Sequence, residues 1–341
     1  MKRMSNLYEN ICEFNNIENA FNEVCRNTKN KRKVENLKEY KTIYISRIYK
    51  ILTNKSYVVG PYNTFTIYEP KERIISSQNV QDKIINHLVS RYILYPALLP
   101  CLLDVNVASR KGLGTSKGIS LALEFHKKCK INYNHYYVLK CDISKFFYSI
   151  DHDVLLNKLK KIGLDNDSYE IIEDIIHSTD YKYIYDKIDN FGVTTNYKKG
   201  KGLGIGNQTS QILAIFYLND LDHFIKEKLH IKYYIRYMDD FILIHQDKEY
   251  LKYCLEEIKK FLKFDKLELN HKTNIYSICN GVSFIGYKYI FKKNRLYMLI
   301  PSNTKKRIKK RIREKKTTIE NYNGYLIFGN TSKFKKSMEF I

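Results

Sequence analysis

The sequence predicts an α+β protein in which amphipathic helices surround a few short, apolar strands. Apolar residues recur at helical spacing through 79 to 96, 116 to 130 and 248 to 263, which is typical of helices with one buried face. Short runs of aromatic and β-branched residues at 136 to 141 and 233 to 244 are instead typical of buried strands. With 341 residues, 44% of them hydrophobic, the chain can form a sizeable core and two or three subdomains.

The remaining elements follow from local composition, taken in chain order. Residues 7 to 60 are predicted to be mostly helical and basic, with a charged break at 29 to 33, and Gly60-Pro61 ends this region. Further elements follow from the same periodicities: a strand at 65 to 68, helices at 151 to 162, 167 to 179 and about 209 to 228, a second β segment at 282 to 290, and a basic helix at 304 to 317. Because that last helix has one apolar stripe, we expect it to pack on the body and to face a phosphate backbone.

The charge balance indicates a polyanionic partner. The chain carries 59 Lys and Arg residues against 36 Asp and Glu residues, a formal net charge of +23. Each phosphate that such a surface neutralises releases counterions, which adds affinity for nucleic acid independent of base sequence. A proteome-wide bias toward Lys could raise the Lys content, but it would not require so large an excess over acidic residues.

The sequence favours a cytoplasmic location. No segment approaches about eighteen consecutive apolar residues, and residues 1 to 6 lack the apolar stretch of a secretion signal, so we expect no membrane span. The seven cysteines form no CxxC pair and are odd in number. We therefore expect reduced thiols, and neither a disulfide framework nor a cysteine zinc cluster.

The tetrapeptide Tyr237-Met238-Asp239-Asp240 places two carboxylates in the middle of an apolar run. Two neighbouring aspartates at the tip of a strand–turn–strand must tolerate each other's charge, and a bound cation is the usual reason. Carboxylate oxygens suit Mg²⁺, which binds through one or two carboxylates and substrate phosphates. A polar hairpin turn is the alternative interpretation, since Asp is a common turn residue.

A second carboxylate, Asp142, ends the apolar strand predicted at 136 to 141. Strand ends are also common places for an Asp that caps the following turn or helix. Catalysis by two metal ions needs carboxylates from separate strands that hold the ions about 3.5–4 Å apart. Asp142, Asp239 and Asp240 together would supply that arrangement. The glycine-rich loop from Gly200 to Gly206 precedes a predicted helix and could approach an anionic ligand closely, but it lacks the GK[ST] ending of a Walker motif.

Seven motifs in order make the chain resemble a reverse transcriptase from about Tyr62 to Gly329. The motifs lie at 70–75 (PKERII), 108–115 (ASRKGLGT), 142–149 (DISKFFYS), 204–211 (GIGNQTSQ), 237–240 (YMDD), 269–273 (LNHKT) and 284–287 (FIGY). The resemblance implies a right-hand polymerase fold with an N-terminal helical extension at 1–60, fingers at 61–135 and 151–208, a ferredoxin-like palm at 136–150 and 209–295, and a short helical thumb at 296–341.

The resemblance also implies an activity and a role for each matched residue. The activity is RNA-directed DNA polymerisation, in which deoxynucleotides are added to a DNA or RNA primer on an RNA template. Asp142, Asp239 and Asp240 would bind two Mg²⁺ ions, for which Mn²⁺ can substitute. The other implied roles are nucleotide binding by Lys71, Arg73, Arg110, Phe147, Ile205, Gly206, Gln211 and Lys272, a primer grip at Phe284, Gly286 and Tyr287, and nucleic-acid binding by Arg307, Lys310 and Arg311. Phe147 stands at the steric-gate position, where a ring would crowd a ribose 2′-hydroxyl.

The pattern Ile205-Gly206-x-x-x-Ser210-Gln211 resembles the reverse transcriptases of diversity-generating retroelements, as do residues 1 to 11. That subgroup implies errors opposite template adenines and a small basic accessory protein. An apolar Ile205 cannot hydrogen-bond beside the nascent base pair, which should weaken discrimination. The same catalytic core occurs in bacterial antiphage reverse transcriptases that use a dedicated non-coding RNA, so a defence role is the alternative.

Two further classes fit the residues less well. An RNA-dependent RNA polymerase shares the palm, but Phe147 and the Tyr-Met-Asp-Asp tetrapeptide argue against it. A non-catalytic RNA-binding module would be expected to lack a metal carboxylate, and all three are present. The sequence leaves open whether the primer is an RNA end, a nicked DNA or a protein hydroxyl.

Overall fold

The computed structural model describes residues 6–67, 73–180, 197–293 and 295–337. It forms two compact units, each assembled from separate stretches of the chain. The helical unit consists of Met1–Leu103, Ser144–Asp220 and Phe264–Leu267, and the sheet unit of Asp104–Ile143, Leu221–Lys263 and Glu268–Ile341. The chain therefore passes from one unit to the other several times, and residues distant in sequence meet within each unit.

Several helices begin at a residue whose side chain satisfies a free backbone amide of the first turn. Asn79 accepts a hydrogen bond from the backbone N–H of Asp82, and Asp165 accepts one from that of Ser168. The described α-helices, in chain order, are α1 (Leu7–Cys12), α2 (Phe14–Asn27), α3 (Lys31–Glu39), α4 (Lys41–Thr53), α5 (Val80–Leu88), α6 (Tyr95–Leu98), α7 (Thr115–Asn132), α8 (Phe146–Ser149), α9 (His152–Lys160), α10 (Asn166–His177), α11 (Gln208–Tyr217), α12 (Asn219–His223), α13 (Lys248–Phe264), α14 (Ser302–Arg313), α15 (Asn323–Leu326) and α16 (Ser332–Lys336).

Two predicted helices are divided in the structure. Between α5 and α6 the chain forms a π-helical segment, Val89–Leu94, a wider turn that is uncommon in proteins. The prediction of one continuous helix at about 209 to 228 was wrong. The chain instead forms α11, then α12, and then a π-helical segment, Phe224–Lys228. Leu218 interrupts the helix between α11 and α12, and its side chain is fully buried. The helical periodicity of the sequence therefore did not reveal this break.

The sheet unit is built on a four-stranded antiparallel sheet with the strand order β4-β5-β3-β6. This order and pairing are those of a ferredoxin-like sheet, as the sequence predicted. The described strands, in chain order, are β1 (Asn63–Ile67), β2 (Arg73–Ser77), β3 (Tyr137–Asp142), β4 (Tyr233–Tyr237), β5 (Asp240–His245), β6 (Asn274–Ser277), β7 (Val282–Phe284), β8 (Tyr287–Lys292) and β9 (Arg295–Leu299). Consecutive residues of β3 and β5, such as Val138 and Leu139, are buried, so both faces of the sheet are covered.

A second antiparallel sheet, β7-β8-β9, shares a core with α7 and the four-stranded sheet. Gly118 of α7 shows how tightly these elements meet, because an added Cβ would lie 2.5 Å from Ile285 Cδ1 and 2.9 Å from Val107 Cγ2. The β segment predicted at 282 to 290 is present as β7 and β8. The strands β6 and β9 were not predicted.

The basic helix predicted at 304 to 317 is α14, Ser302–Arg313. Its Ile308 is buried in a small core that includes Ile300, Leu326 and Phe334, so the apolar stripe packs inward as expected. The end of the chain thus has the short helical character predicted for a thumb. Among the described residues, no helix combines the length and the apolar character that crossing a membrane requires.

The predicted subdomain boundaries stay predictions, because compact units and polymerase subdomains are defined by different criteria. Helix α7 belongs to the sheet unit although the fingers were predicted to extend to residue 135. Helix α11 belongs to the helical unit although the palm was predicted to resume at 209. Strand β9 crosses the predicted boundary between palm and thumb.

Candidate active site

The register of the four-stranded sheet brings Asp142 and Asp240 together. In the antiparallel β3–β5 pair, Asp142 lies directly opposite Asp240. Side chains that are paired in this way leave the sheet on the same face, with their Cβ atoms about 4.5–5.5 Å apart. Two carboxylates that are distant in sequence therefore face one another at the end of the sheet.

Asp239 lies in the two-residue turn between β4 and β5, since Tyr237 pairs with Asp240. Its neighbour Met238 has a positive φ of 57°, a backbone conformation that is uncommon for a side chain of this size. Such strain is tolerated where the surroundings fix the backbone. Here Arg236 contributes, because its Nη1 donates a hydrogen bond of 3.0 Å to the carbonyl oxygen of Met238.

A buried ion pair holds Arg236 in place. Both Arg236 and Asp222 of α12 have fully buried side chains, and Arg236 Nε donates to Asp222 Oδ1 over 2.7 Å while Nη2 donates to Oδ2. Tyr234, two residues earlier on β4, donates its hydroxyl to the same Oδ1 over 2.6 Å. Sequence analysis missed this pair, although an arginine inside an apolar strand run was a usable signal of a buried charge with a partner.

Lys140 is a second residue that sequence analysis missed. It lies two residues before Asp142 on β3, so it emerges on the same face. Its Nζ donates to Asp240 Oδ2 over 3.0 Å and to the carbonyl oxygen of Ser283 over 2.7 Å. Lys140 therefore links the carboxylate of β5 to the strand β7.

Asp240 remains short of positive charge despite Lys140. Its other carboxylate oxygen, Oδ1, is buried and has no hydrogen-bond partner among the residues that the structure describes. Burial raises the pKa of Asp240 to about 6, Lys140 opposes the rise, and the negative charges of Asp142 and Asp239 add to it. A buried acceptor without a donor is costly, and a divalent cation would satisfy it. The three carboxylates thus fit a site for Mg²⁺, whose preferred ligands are oxygens.

Lys272 lies in a loop that is fastened to the same strand end. The backbone N–H of Asn270 donates to the carbonyl oxygen of Asp142 over 2.7 Å, and Asn270 Oδ1 accepts from the backbone N–H of Lys272 over 3.1 Å. Lys272 itself is exposed. The predicted nucleotide-binding residue Lys272 is therefore linked through Asn270 to the backbone of Asp142.

Arg110 is held against its own loop. Its Nη1 donates to the carbonyl oxygen of Asn106 over 3.1 Å and its Nη2 to Asp104 Oδ1 over 3.2 Å, and only 14% of its side chain is exposed. The loop is anchored to β4, because the Val107 N–H donates to the carbonyl oxygen of Arg236. A contact between Arg110 and a triphosphate stays a prediction, and it would require the guanidinium to exchange or share its present acceptors.

The predicted primer grip is a turn with two core side chains. Phe284 and Tyr287 are each only 1% exposed, so their rings belong to the core. Gly286 between them is exposed and has a φ of 82°, and its carbonyl oxygen accepts a hydrogen bond from the hydroxyl of Tyr325. Any contact with a primer would therefore be made by the backbone of this turn.

The basic residues predicted to bind nucleic acid lie on α14. Arg307 and Lys310 are exposed, and Arg311 is half-buried. Lys310 also lies 3.7 Å from Glu314, an exposed pair that contributes little to stability. Binding of a phosphate backbone by this surface stays a prediction.

The helical unit brings Phe147 and Ile205 into one neighbourhood. The backbone N–H of Leu203 donates to the carbonyl oxygen of Phe147 over 2.8 Å. Tyr197 joins the same loop, since its hydroxyl donates to the carbonyl oxygen of Leu203 and accepts from the N–H of Ile205. The Ile205 carbonyl in turn accepts from the N–H of Ser76 on β2. The glycine-rich loop is thus fixed between α8 and β2.

The remaining predicted nucleotide-binding residues have different surroundings. Gly206 is exposed with a φ of 118°, a conformation that favours glycine, and Gln211 is exposed on α11. Arg73 begins β2, where it pairs with Ile67. Lys71 lies outside the described residues.

Comparison with known proteins identifies both the family and the fold. A family model for reverse transcriptase (RNA-dependent DNA polymerase) matches residues 66–289. Similar solved structures are telomerases of Candida species: apo telomerase of Candida tropicalis truncated from its C-terminal domain (TM-score 0.52, 14% identity, 78% of this chain and 60% of that chain), telomerase of Candida albicans in complex with a fragment of telomeric RNA (0.51, 13%, 76% and 51%) and apo telomerase of Candida tropicalis (0.51, 15%, 77% and 53%). No curated protein matches the chain.

At these identities the likeness to telomerases shows the fold alone, and it confirms the predicted α+β right-hand polymerase fold. The chain spans only 51–60% of the length of these structures. The family match covers most of the chain, including the three aspartates, the glycine-rich loop and the turn at Gly286. Members of this family are nucleotidyltransferases that generally use divalent metal ions. The chain belongs to the reverse transcriptase family.

Proposed function

We propose that this protein is an RNA-directed DNA polymerase that adds deoxynucleotides to a primer 3′-hydroxyl on an RNA template. The observation that carries the proposal is the pairing of Asp142 with Asp240 across β3 and β5, with Asp239 in the adjoining turn. The buried Oδ1 of Asp240, which no described residue contacts through a hydrogen bond, supports binding of a cation by this cluster. Polymerase chemistry requires such a cation, because charge develops on both the attacking and the leaving oxygen.

Asp142, Asp239 and Asp240 are the residues that would hold two Mg²⁺ ions. When bound, such ions lower the pKa of the primer hydroxyl and offset the negative charge of the triphosphate. Lys140 keeps the Asp240 carboxylate oriented through Oδ2, which leaves Oδ1 for the cation. Arg236 fixes the turn carrying Asp239, so the carboxylates need little reorganisation before reaction.

Cationic residues of the matched motifs would bind the nucleotide and the strands. Lys71, Arg73, Arg110 and Lys272 are proposed for the incoming deoxynucleoside triphosphate, and Arg307, Lys310 and Arg311 for the backbone of the template–primer duplex. Binding of this kind is largely independent of base sequence and weakens with salt. The net charge of +23 supports it.

Phe147 is proposed as the steric gate and Ile205 as a determinant of fidelity. The hydrogen bond from Leu203 to the Phe147 carbonyl fixes the backbone of the gate, so the ring position is set by the fold. Ile205 offers only an apolar side chain to the nascent base pair, which supports the diversity-generating assignment with its small basic accessory protein. Under the defence alternative the same enzyme would copy a dedicated non-coding RNA faithfully.

Primer extension on a defined RNA template with Mg²⁺ and deoxynucleotides tests the reaction. The wild type should extend the primer, Asp239→Asn should not, and Asp153→Asn, which changes an exposed aspartate on α9, should behave like the wild type. Retained synthesis in Asp239→Asn with an unchanged rate would refute the metal assignment.

Sequencing the extension products separates the two biological roles. Errors concentrated opposite template adenines, and fewer of them in Ile205→Gln, would support the diversity-generating assignment. Faithful copying by the wild type would favour the defence role. An error spectrum that is the same in Ile205→Gln and in the wild type would remove Ile205 from the fidelity mechanism.

A further inference from the structure

Three side chains with metal-binding atoms converge in the helical unit, outside the proposed reaction. His152 begins α9, His177 ends α10, and Asp180 lies in the 3₁₀ turn that follows. The Nδ1 atoms of the two histidines lie 3.2 Å and 3.1 Å from the same Asp180 oxygen, Oδ2. One ligand atom from each of the three residues lies within 4.8 Å of the others.

The hydrogen bonds of His152 determine where its protons lie. Its Nε2 is 2.8 Å from the carbonyl oxygen of Gly202, so Nε2 must carry a hydrogen. In the neutral ring, Nδ1 then carries no hydrogen and is a hydrogen-bond acceptor. It faces the Asp180 carboxylate, which is an acceptor as well. Two acceptors at this distance repel one another. Either a second proton on His152 or a metal ion must lie between them.

The distances favour a metal ion. A charge-assisted N–H···O⁻ hydrogen bond is typically about 2.7–2.9 Å long, whereas the two contacts to Asp180 Oδ2 are 3.1 and 3.2 Å. A tetrahedral ion with bonds of about 2.0–2.1 Å separates neighbouring ligand atoms by roughly 3.3 Å. These two nitrogen–oxygen spacings are closer to the spacing of ligands around one ion.

The surroundings have the second layer of contacts that metal ligands usually have. The Gly202 carbonyl fixes the His152 ring, and the backbone N–H of Gly200 donates to Asp180 Oδ1 over 2.7 Å, leaving Oδ2 directed at the histidines. His152 is 1% exposed and Asp180 is 16% exposed, but His177 is 40% exposed. The cluster therefore opens to solvent on the His177 side, where water could complete the coordination.

We propose that His152, His177 and Asp180 bind one divalent transition-metal ion, with Zn²⁺ as the expected ion. Two imidazole nitrogens and one carboxylate are a common ligand set for zinc, whereas Mg²⁺ prefers oxygen ligands alone. This second cation site is separate from the carboxylates of the four-stranded sheet in both its ligands and its chemistry.

The position of the ion gives it a structural role in the glycine-rich loop. The backbone N–H of His152 donates to the Gly200 carbonyl over 3.0 Å, and that of Gly202 donates to the Ile150 carbonyl over 2.7 Å. The same loop continues through Leu203 to the carbonyl of Phe147. An ion at His152 and Asp180 would thus tie α9, α10 and the loop together and hold the backbone beside Phe147.

Metal analysis of the 341-residue chain tests this proposal without relying on activity. The wild type, purified without chelator, should contain about one Zn²⁺ per chain by elemental mass spectrometry. His177→Ala and Asp180→Asn should lose it. His223→Ala should keep it, because His223 is a comparably exposed histidine that contacts a carboxylate, Glu227, in the other unit. Replacement by Co²⁺ should give the absorption of a tetrahedral complex in the wild type and not in His177→Ala.

Stability provides the second readout. Adding Zn²⁺ to the metal-stripped wild type at about a hundredfold excess over its Kd should raise Tm by about 5 °C, and His177→Ala should show no rise. His177 is used because removing the buried His152 could unfold the chain. A wild type that neither carries nor responds to Zn²⁺ would overturn the proposal and leave His152 as an imidazolium paired with Asp180. Equal zinc content in the wild type and His177→Ala would overturn it too.

Failure of this proposal is distinguishable from failure of the proposed polymerase activity. Asp240→Asn should lose primer extension but retain zinc, because its carboxylate belongs to the sheet unit.

Discussion

The carboxylate cluster of the sheet unit and the histidine cluster of the helical unit both place atoms that can bind a cation close to one another. In the sheet unit, Asp142 and Asp240 face each other across two strands, and Lys140 offsets only part of their charge. In the helical unit, two ring nitrogens face one carboxylate oxygen. A bound cation is proposed for each arrangement, but the two differ in the ligand atoms and in how those atoms are held.

If both proposals hold, the two clusters bind their cations in different ways. The sheet cluster offers only oxygens and sits at a strand end and a hairpin turn, where an incoming phosphate could share the ion. Such sites hold Mg²⁺ loosely and exchange it with substrate. The histidine cluster is fixed by the backbone of Gly200 and Gly202, and its nitrogen ligands favour a tightly held ion. The first arrangement suits chemistry, and the second suits the support of a loop.

Removing one carboxylate charge from the sheet cluster tests most directly whether the two clusters have separate roles. Asp240→Asn keeps the shape of the side chain but removes the negative charge, so we expect primer extension to fall by about 10³-fold or more. Zinc content and Tm should stay close to those of the wild type, since the side chain keeps its shape and is 30% exposed. Steady-state extension rates, elemental analysis and thermal melts measure the three quantities.

A matched control for that variant is Asp247→Asn, which changes an exposed aspartate beyond the end of β5. If Asp240→Asn retained more than a tenth of the wild-type rate while Asp247→Asn was unaffected, Asp240 would not be a metal ligand. Loss of zinc in Asp240→Asn would instead show that the two clusters are not independent.

The buried pair Arg236–Asp222 is predicted to have the next largest effect. Asp222→Asn leaves the Arg236 charge buried and without a full counter-charge, which typically costs about 3–5 kcal/mol. We expect a lower free energy of unfolding together with reduced extension, because Arg236 also donates to the Met238 carbonyl beside Asp239. Chemical denaturation and extension assays at a permissive temperature measure both effects.

A double replacement separates stability from positioning. Asp222→Leu with Arg236→Met removes both charges and keeps apolar volume, and such exchanges often restore stability. We expect the double variant to regain stability but not extension, since the hydrogen bond to Met238 is lost. Full recovery of the extension rate would show that Arg236 only stabilises the fold and does not position the turn.

The contacts of the sheet unit also explain which structural features could be predicted from the sequence and which could not. The apolar run around Asp239 predicted a hairpin, and the order of motifs predicted the fold. Local pattern could not supply the β3–β5 register, because the pairing of Asp142 with Asp240 depends on how distant strands meet. Periodicity also failed at Leu218, where a single residue interrupts a helix that the apolar pattern predicts to be continuous.

The buried polar groups were missed for a related reason. A charged residue in a short strand run, such as Arg236, is usually assigned to the exposed face, and its partner Asp222 lies on a different element. His152 and His177 lie on different helices without the close spacing of a sequence motif for zinc, so only the packing of α9 against α10 brings them together. Interactions across elements are set by tertiary structure.

The pKa of Asp240 gives the sheet cluster a pH dependence. Its pKa is raised to about 6, mainly by burial, so the metal-free carboxyl is protonated below that value. A raised pKa means that protonation favours the folded state, and this contribution is present at low pH and lost as pH rises through about 6. Mg²⁺ must displace that proton, so its apparent Kd should increase about tenfold per pH unit below about 6. Titrations of Mg²⁺ in extension assays between pH 5 and 8 measure this dependence.

Lys140 provides the control for the pH profile. Its ammonium group lowers the pKa of Asp240, so Lys140→Met should move the break in the profile to higher pH. An apparent Mg²⁺ affinity that is flat between pH 5 and 7, or an unchanged profile in Lys140→Met, would remove Asp240 as the titrating ligand.

The smallest predicted effect concerns the loop that the histidine cluster supports. In Phe147→Ala the ring is removed but the backbone stays anchored, because the Phe147 carbonyl still accepts from the N–H of Leu203. We expect the ratio of ribonucleotide to deoxynucleotide incorporation to rise by roughly tenfold or more, since a lost side chain removes a steric barrier that only the 2′-hydroxyl meets. Phe264→Ala, which removes an 85% exposed ring, should leave the ratio unchanged.

If the glycine-rich loop positions the ring of Phe147, removing Zn²⁺ should also raise the ratio of ribonucleotide to deoxynucleotide incorporation in the wild type. In Phe147→Ala, removing Zn²⁺ should leave that ratio unchanged. The same ratio for the wild type and Phe147→Ala would show that sugar selection lies elsewhere.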